Sequence, residues 1–252
     1  MSNSADHASH QPRILILESS SRMGSVAIAE GPRFLHEERF SQSMRHAIDL
    51  MPAARRLCRN VGWSPATIDH VYLSTGPGSF TGLRISISIA RAMAQAIGCK
   101  LVAVSTVDVL AQNAPDHVRN LVVALDAKRR QIFGALYRRS NGMERTAGPA
   151  LVDPGEFISS APHPVAVLGE GVDYHRAALQ SGVTNSVDYT ELDRHLWTPS
   201  ARAVHALAWQ RAAREDFDDP NNVIPVYIRL AEAEEVWNIK NTTPGAAVPP
   251  AI

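Results

Sequence analysis

Twice along this 252-residue chain, an unbroken apolar run ending in a carboxylate leads into a turn, further extended pieces and then helices. The first run is RILILE (13–18) and the second is LVVALD (121–126). Runs of this length without a polar interruption suit strands buried on both faces. After the first run come a turn from Ser19 to Gly24, a strand GSVAIAE (24–30), a turn at Gly31 and Pro32, and the more polar strand RFLHEERF (33–40). These three strands predict an antiparallel meander. After the second run come its hairpin partner QIFGALYRR (131–139) and a third strand over about 145–152. In both halves a helix, a strand and another helix follow. Two β-β-β-α-β-α passes with little identity between them predict a duplicated α/β architecture.

That order belongs to the actin-like (ASKHA / RNase H-like) class of two-lobed folds, each lobe a mixed sheet with helices. Parallel strands joined by helices put a ligand cleft at their carboxyl ends. The expected division is a disordered tail at 1–12, an N-terminal lobe at 13–110, a C-terminal lobe at 111–230 and a mostly disordered tail at 231–252. The first lobe's opening helix starts at Ser41 or Ser43 and runs to Asn60, with Met44, Ile48, Met51, Ala54 and Cys58 along one stripe. Pro52 removes one of its hydrogen bonds, so a kink is expected there. Strand LVAV (101–104) precedes a helix opening at Ser105 or Thr106. In the second lobe, Asp153-Pro154 starts a short helix, VAVLG (165–169) is a strand, and VDYHRAALQS is a helix. A long helix at 198–215 starts at Thr198 or Ser200, and 226–228 is a last extended piece.

The densest signal lies between His70 and Gly98, which reads as strand, glycine-rich loop and helix. Gly76, Pro77 and Gly78 end the strand, and Ser79 or Thr81 can cap the helix over 82–97. Leu83, Ile85, Ile87 and Ile89 alternate as a strand would, but Ala90, Ala92, Met93, Ala94, Gln95 and Ala96 favour helix. A glycine turn before a helix N-terminus can offer amides to a phosphate. This loop is not a Walker A loop, and no GxGxxG occurs. The residues alone favour a tight turn that lets a small-faced helix pack closely.

Charge is balanced, with 25 basic and 25 acidic side chains, so there is no global field for nucleic acid. Arg45, Arg55, Arg56 and Arg59 sit on one helix with Asp49 as its only acid, a solvated face that could also steer an acidic partner. Cys58 and Cys99 lie in apolar contexts outside any CxxC pair and read as core hydrophobes. No signal-peptide pattern or membrane-length apolar run is present, which predicts a cytoplasmic protein. HxxxH, HExxH and GxSxG are all missing, so no metal ligands and no serine nucleophile are expected. A magnesium nucleotide site of the actin-like kind needs carboxylates at the first turn of each lobe, and Glu18 and Asp126 stand there. Arg22, Met23 and the cations at 128–130 crowd those turns, and Asp126 can pair with Arg129. The site therefore reads as vestigial.

Several stretches together carry a family resemblance: ILILESS…GSVAIAE, RHAIDLMP, GPGSFTGLRISISIARAMA, VAVSTVDVLA, VVALDAKRRQIFGALY, VLGEG and PVYIR. They resemble the TsaB (YeaZ) family across about residues 13–230, and GPGSFTGLR is highly specific to it. The resemblance implies a non-catalytic partner of TsaD in forming threonylcarbamoyladenosine next to the anticodon of tRNA. It also implies a TsaE-type ATPase as accessory, a possible homodimer, and contact with tRNA only through the complex. No cofactor of its own is implied, although ATP or ADP with magnesium can lie at the complex interface. Helices 43–60 and 82–97 are implied as the partner surface, with Arg45, Ile48, Met51, Arg55, Arg84, Ser86, Ala90, Met93 and Ala94 as candidates. The motif loop spans Gly76, Pro77, Gly78, Ser79, Phe80, Thr81 and Gly82. The family usually opens with Asp-Thr-Ser where this chain has Glu18-Ser19-Ser20. Competing readings are an independent actin-like ATPase or small-molecule kinase, which magnesium-dependent turnover would reveal, and a glycopeptidase homologue, which the missing histidine pair opposes.

Overall fold

The computed structural model describes residues 11–40 and 46–226. Strands β1 (Arg13–Glu18), β2 (Ser25–Glu30), β3 (Arg33–Arg39), β4 (His70–Ser74) and β5 (Lys100–Val104) form one sheet in the order β3-β2-β1-β4-β5. The β1–β2 and β2–β3 pairs are antiparallel, and β4 and β5 join β1 in parallel. Strands β6 (Asn120–Asp126), β7 (Ile132–Arg139), β8 (Met143–Val152), β9 (Val165–Leu168) and β10 (Tyr189–Glu191) repeat this plan in the order β10-β9-β6-β7-β8. Antiparallel and parallel pairs fall at equivalent places. The duplicated, two-lobed actin-like fold is thus present in the topology itself. β10 completes the second sheet and was not expected from the sequence.

Period-two alternation sends neighbouring residues of each central strand to opposite faces. Leu15, Leu17, Val71, Leu73 and Leu101 meet α1 (His46–Asn60) and α2 (Phe80–Ile97) on one face of the first sheet. On that face, Leu50, Ala53, Ala54, Leu57 and Cys58 of α1 turn inward. The inward stripe therefore differs from the expected one: Ala54 and Cys58 are buried, whereas Ile48 and Met51 face solvent. Met44, Ser41 and Ser43 lie outside the described residues. α1 is one helix with Pro52 inside it.

The opposite face of the first sheet, with Ile14, Ile16, Tyr72 and Val102, is covered by α6 (Ala201–Ala212). Residues 198–215 were assigned to the C-terminal lobe, and the structure corrects this. The helix is shorter, is capped by Ser200, whose Oγ accepts from Ala203 N at 3.2 Å, and packs on the N-terminal lobe. Ala201 N also donates to Ser25 Oγ at 3.0 Å, which ties the start of α6 to β2. Conversely, Val107, Leu110 and Ala111 of α3 (Thr106–Ala111) join Leu121, Val123 and Leu125 of the second sheet. Each lobe takes a covering helix from the other half of the chain, so no cut near 110 separates two units. The remaining face of the second sheet holds Val122, Ala124 and Val167 against α4 (Pro154–Ser159) and α5 (Gly171–Ser181). Asp153 caps α4, its Oδ1 accepting from Gly155 N at 2.9 Å and Glu156 N at 3.1 Å, as the sequence predicted.

Candidate functional site

The loop between β4 and α2 is held from three sides. Ser79 N donates to Ser20 O at 2.6 Å in the first turn, and Thr106 N donates to Gly76 O at 2.9 Å at the start of α3. Val226 N donates to Thr75 O at 2.8 Å. Gly76 has φ +112°, which favours glycine, and a Cβ on Gly78 would lie 2.2 Å from Ser20 O. α2 begins at Phe80, two residues earlier than expected, and Ser79 is its cap: Ser79 Oγ accepts from Gly82 N at 3.2 Å. Ser19 Oγ donates to Gly82 O at 2.8 Å. Gly82's amide and Ser79's amide are thus spent on the protein itself, which supports the tight-turn reading over a phosphate cradle. Thr81 is exposed, and Phe80 is 45% exposed with the Arg84 guanidinium 3.7 Å above its ring.

Between the lobes lies a cleft of about 220 Å³, lined by Ser20, Arg22, Ser79, Asp126, Lys128 and Glu170 among others. Glu18 does not line it. Its side chain is fully buried, with Oε1 accepting from Ser20 N at 2.7 Å and Ser20 Oγ at 2.5 Å. Oε2 makes no well-formed hydrogen bond, and neither does the hydroxyl of buried Ser74 that lies near it. Burial holds the Glu18 carboxyl above the usual carboxylate range, and the hydroxyls of Ser20 and nearby Ser74 only partly offset it. Asp126 does reach the cleft, but its partners are Lys128, whose Nζ donates to Oδ2 at 2.7 Å, and His175, whose Nε2 lies 3.0 Å from Oδ1. Burial raises this carboxyl, yet the bonds from Lys128 and His175 outweigh it and the net direction is downward. The expected pairing with Arg129 is replaced by Lys128. The residues at 128–130 all have left-handed backbone, with φ of 64°, 50° and 62°.

Glu18 and Asp126 are therefore not brought together, and they do not fit a magnesium nucleotide in this cleft. One is sealed under its own turn and the other is committed to two cations or donors. Sequence reasoning missed Glu170 and His175. Burial holds the Glu170 carboxyl above the usual carboxylate range, and the charge of Arg22 only partly offsets it. Both residues lie more than forty positions from Asp126, and no local spacing announces that meeting.

The second candidate region is the outer face of α1 and α2. Ile48 is 61% exposed, Met51 is 36% exposed, and Arg55 and Arg84 are exposed with them. Met93 and Ala94 are half-buried against the first core. Arg45 lies outside the described residues. The structure corrects two of the candidate partner-surface residues: Ser86 and Ala90 are fully buried. The face of α2 that turns to the sheet is Leu83, Ser86, Ile87 and Ala90, at three- and four-residue spacing. Ser86 Oγ is satisfied there by its own helix, donating to Leu83 O at 3.2 Å. Among the described residues no group of three or more His, Cys, Asp or Glu side chains is arranged to hold a metal ion. No described helix is long and apolar enough to cross a membrane.

Comparison with known proteins adds a family to this geometry. Residues 35–237 match the family model described as "TsaD: tRNA N6-adenosine threonylcarbamoyltransferase". The tRNA threonylcarbamoyladenosine biosynthesis protein TsaB of Bacillus subtilis is 27% identical over 229 residues, 89% of this chain and 97% of that protein. An uncharacterised protein of Mycobacterium tuberculosis is 32% identical over 195 residues, 75% of this chain and 77% of the relative. Among solved structures, YeaZ from Pseudomonas aeruginosa superposes with a TM-score of 0.72 at 25% identity, covering 85% of this chain and 100% of that one. A Pseudomonas aeruginosa protein described by its similarity to peptidase YeaZ superposes with a TM-score of 0.73 at 26% identity, covering 86% and 100%.

Proposed function

We propose that this chain, which belongs to the TsaB (YeaZ) family, is a non-catalytic subunit in the threonylcarbamoylation of tRNA adenosine and the partner of a TsaD-type transferase. The observation that carries the reading is the outer face of α1 and α2. On α1, Ile48 and Met51 stand exposed, Met51 in one surface depression with Arg55, Arg56 and Arg59, and on α2 Arg84 is exposed, while the inner faces of both helices are already filled by the first core. Apolar side chains rimmed by arginines are the composition of a protein interface. Further support comes from the first turn of each lobe, where Glu18 and Asp126 are both engaged within the protein.

In this reading the chain neither turns over ATP nor transfers a carbamoyl group. ATP or ADP with magnesium belongs to the interface with the partner, and a TsaE-type protein supplies the ATPase. tRNA is reached through the complex, in keeping with a net charge of zero. The homodimer uses the same helical face when the partner is absent, and the complex works in the cytoplasm.

The test is capture of the TsaD-type protein from the same cells by the full chain carrying Ile48→Asp with Met51→Asp, or Arg84→Glu. Each variant is expected to lose at least about tenfold in affinity, roughly 1.4 kcal/mol, while keeping its melting temperature. Folded variants that capture the transferase normally would remove this face from the reading. Magnesium-dependent ATP turnover by the pure chain, abolished by Asp126→Ala, would favour the ATPase instead.

A further inference from the structure

A pocket of about 460 Å³ opens in the second lobe where β6 and β9 begin, at the opposite end of β6 from the cleft at Asp126. Its floor is Val118, Ala166 and Leu192, buried members of the core that α3 shares with the second sheet. Its rim carries His117, Arg119 and His163, all exposed, and no acidic side chain lines it. We propose that this pocket binds a small monocarboxylate with a compact apolar body, the carboxylate held at the rim and the body laid on the floor.

Three observations point to this ligand class. First, the walls are fixed by hydrogen bonds. The Arg139 guanidinium donates to Val118 O and Ala114 O at 2.9 Å and to Pro115 O at 3.0 Å, and Arg139 N donates to Arg119 O at 2.8 Å. Asn120 Nδ2 donates to Pro164 O at 3.0 Å, which ties the start of β6 to the segment before β9, and Leu192 N donates to Val167 O at 2.9 Å. A pocket set in advance has little ordering cost on binding. Second, the rim donors are uncommitted: among the described residues the side chains of His117, Arg119 and His163 make no hydrogen bond or ion pair. Asp116 and Glu191, each beside a lining residue in the chain, pair elsewhere, with Arg139 at 3.4 Å and Arg176 at 3.0 Å. One guanidinium with imidazole N–H groups beside it suits a single planar carboxylate. Third, the floor is apolar, so a bare inorganic anion would leave it wet, whereas an apolar body removes it from water. The site stands independently of the transferase assignment, because α1 and α2 pack on the first sheet.

The test is fluorine NMR of the full chain with para-(trifluoromethyl)benzoate as the probe and para-(trifluoromethyl)benzyl alcohol as its uncharged counterpart. The acid should bind with a Kd below about 1 mM, and the alcohol at least about tenfold more weakly. Arg119→Gln should weaken the acid about tenfold. Thr190→Trp, which sets an indole into the pocket from an exposed position on β10, should abolish binding of the acid. Both positions are exposed, so the melting temperatures should hold, and Arg119→Gln decides alone if Thr190→Trp lowers its own. The proposal is overturned by acid that fails to bind at about 5 mM, by equal affinity for acid and alcohol, or by acid binding that folded Arg119→Gln leaves unchanged.

Discussion

Replacing Glu18 by Gln should stabilise this protein at neutral pH, although Glu18 is a fully buried residue at the heart of the first turn. One carboxyl oxygen already accepts from Ser20 N and Ser20 Oγ, and an amide oxygen can take both bonds unchanged. The other oxygen makes no well-formed bond and stands near the hydroxyl of Ser74, which makes none either and to which an amide NH₂ can donate. An orphaned buried polar atom costs about 1–3 kcal/mol and a satisfied hydrogen bond contributes about 1 kcal/mol. The substitution is therefore expected to add about 1–2 kcal/mol, or roughly 2–8 °C in Tm for a chain of this size. Glu18→Ala should instead cost about 2–4 kcal/mol, since it strands both Ser20 groups and opens a cavity. The pH dependence has a definite sign. Because burial raises this carboxyl above its unfolded value, the folded state holds the proton longer than the unfolded state does. Its contribution is fully present below about pH 4.3 and is lost as pH rises through the folded value. The advantage of Gln over Glu should then grow from pH 4 upward. Urea unfolding of both proteins across that range measures it. A Gln variant that is less stable at every pH, with an unchanged pH slope, would show that a charged Glu18 is wanted there and would refute the argument.

Ala90→Glu buries a charge on a fully enclosed face of α2, so it should lower stability by at least about 3 kcal/mol and abolish partner capture only through unfolding, as a thermal melt will reveal. Gly78→Ala drives a Cβ to 2.2 Å from Ser20 O and should cost about 2 kcal/mol or more, read by urea unfolding. His205 donates from Nε2 to Gly31 O at 2.9 Å and, with His70, is held below the usual imidazole range by burial. Both histidines are neutral when folded, so their contribution is complete above about pH 6.5 and is lost as pH falls below it. The double variant His70→Gln and His205→Gln should flatten that part of the stability profile.

Much of the fold was legible because its central strands are extreme. RILILE and LVVALD leave little choice but burial on two faces, and the caps Ser79, Asp153 and Ser200 mark their helices with oxygens that do accept from the first-turn amides. The choices the sequence left open were tertiary. α6 could have covered either sheet, and only the bare face made by Ile14, Ile16, Tyr72 and Val102 selects the first. α1 has apolar residues on two sides at helical spacing, so its pattern alone does not say that Leu50 and Leu57 go in while Ile48 and Met51 stay out. In α2 the alternating residues split into two pairs at helical spacing, Leu83 with Ile87 on the inward face and Ile85 with Ile89 half-buried at its edge, and it is Ser86 and Ala90 that complete the inward face. β10 has three residues and gains its identity from pairing with β9.

Arg22 and Lys128 do line the cleft, as the sequence led one to expect, and the structure adds a second reason why Glu18 is not in it. Met23 is 38% exposed, and Lys128 holds Asp126 in place. What fills the first turn is Ser20. Its carbonyl takes Ser79 N, and its amide and hydroxyl take the Glu18 carboxyl. Glu has the length to fold back onto the turn that follows it, so its carboxyl ends inside the lobe, where burial favours the neutral form. One serine thus joins the end of β1 to the loop after β4, and Gly78 allows that approach because it has no Cβ. The same contact that withdraws a carboxylate from the cleft fixes the start of α2. It therefore also sets the direction in which Phe80 and Arg84, stacked on each other, face outward from α2. One contact at Ser20 thus bears both on where the Glu18 carboxyl lies and on how α2 starts.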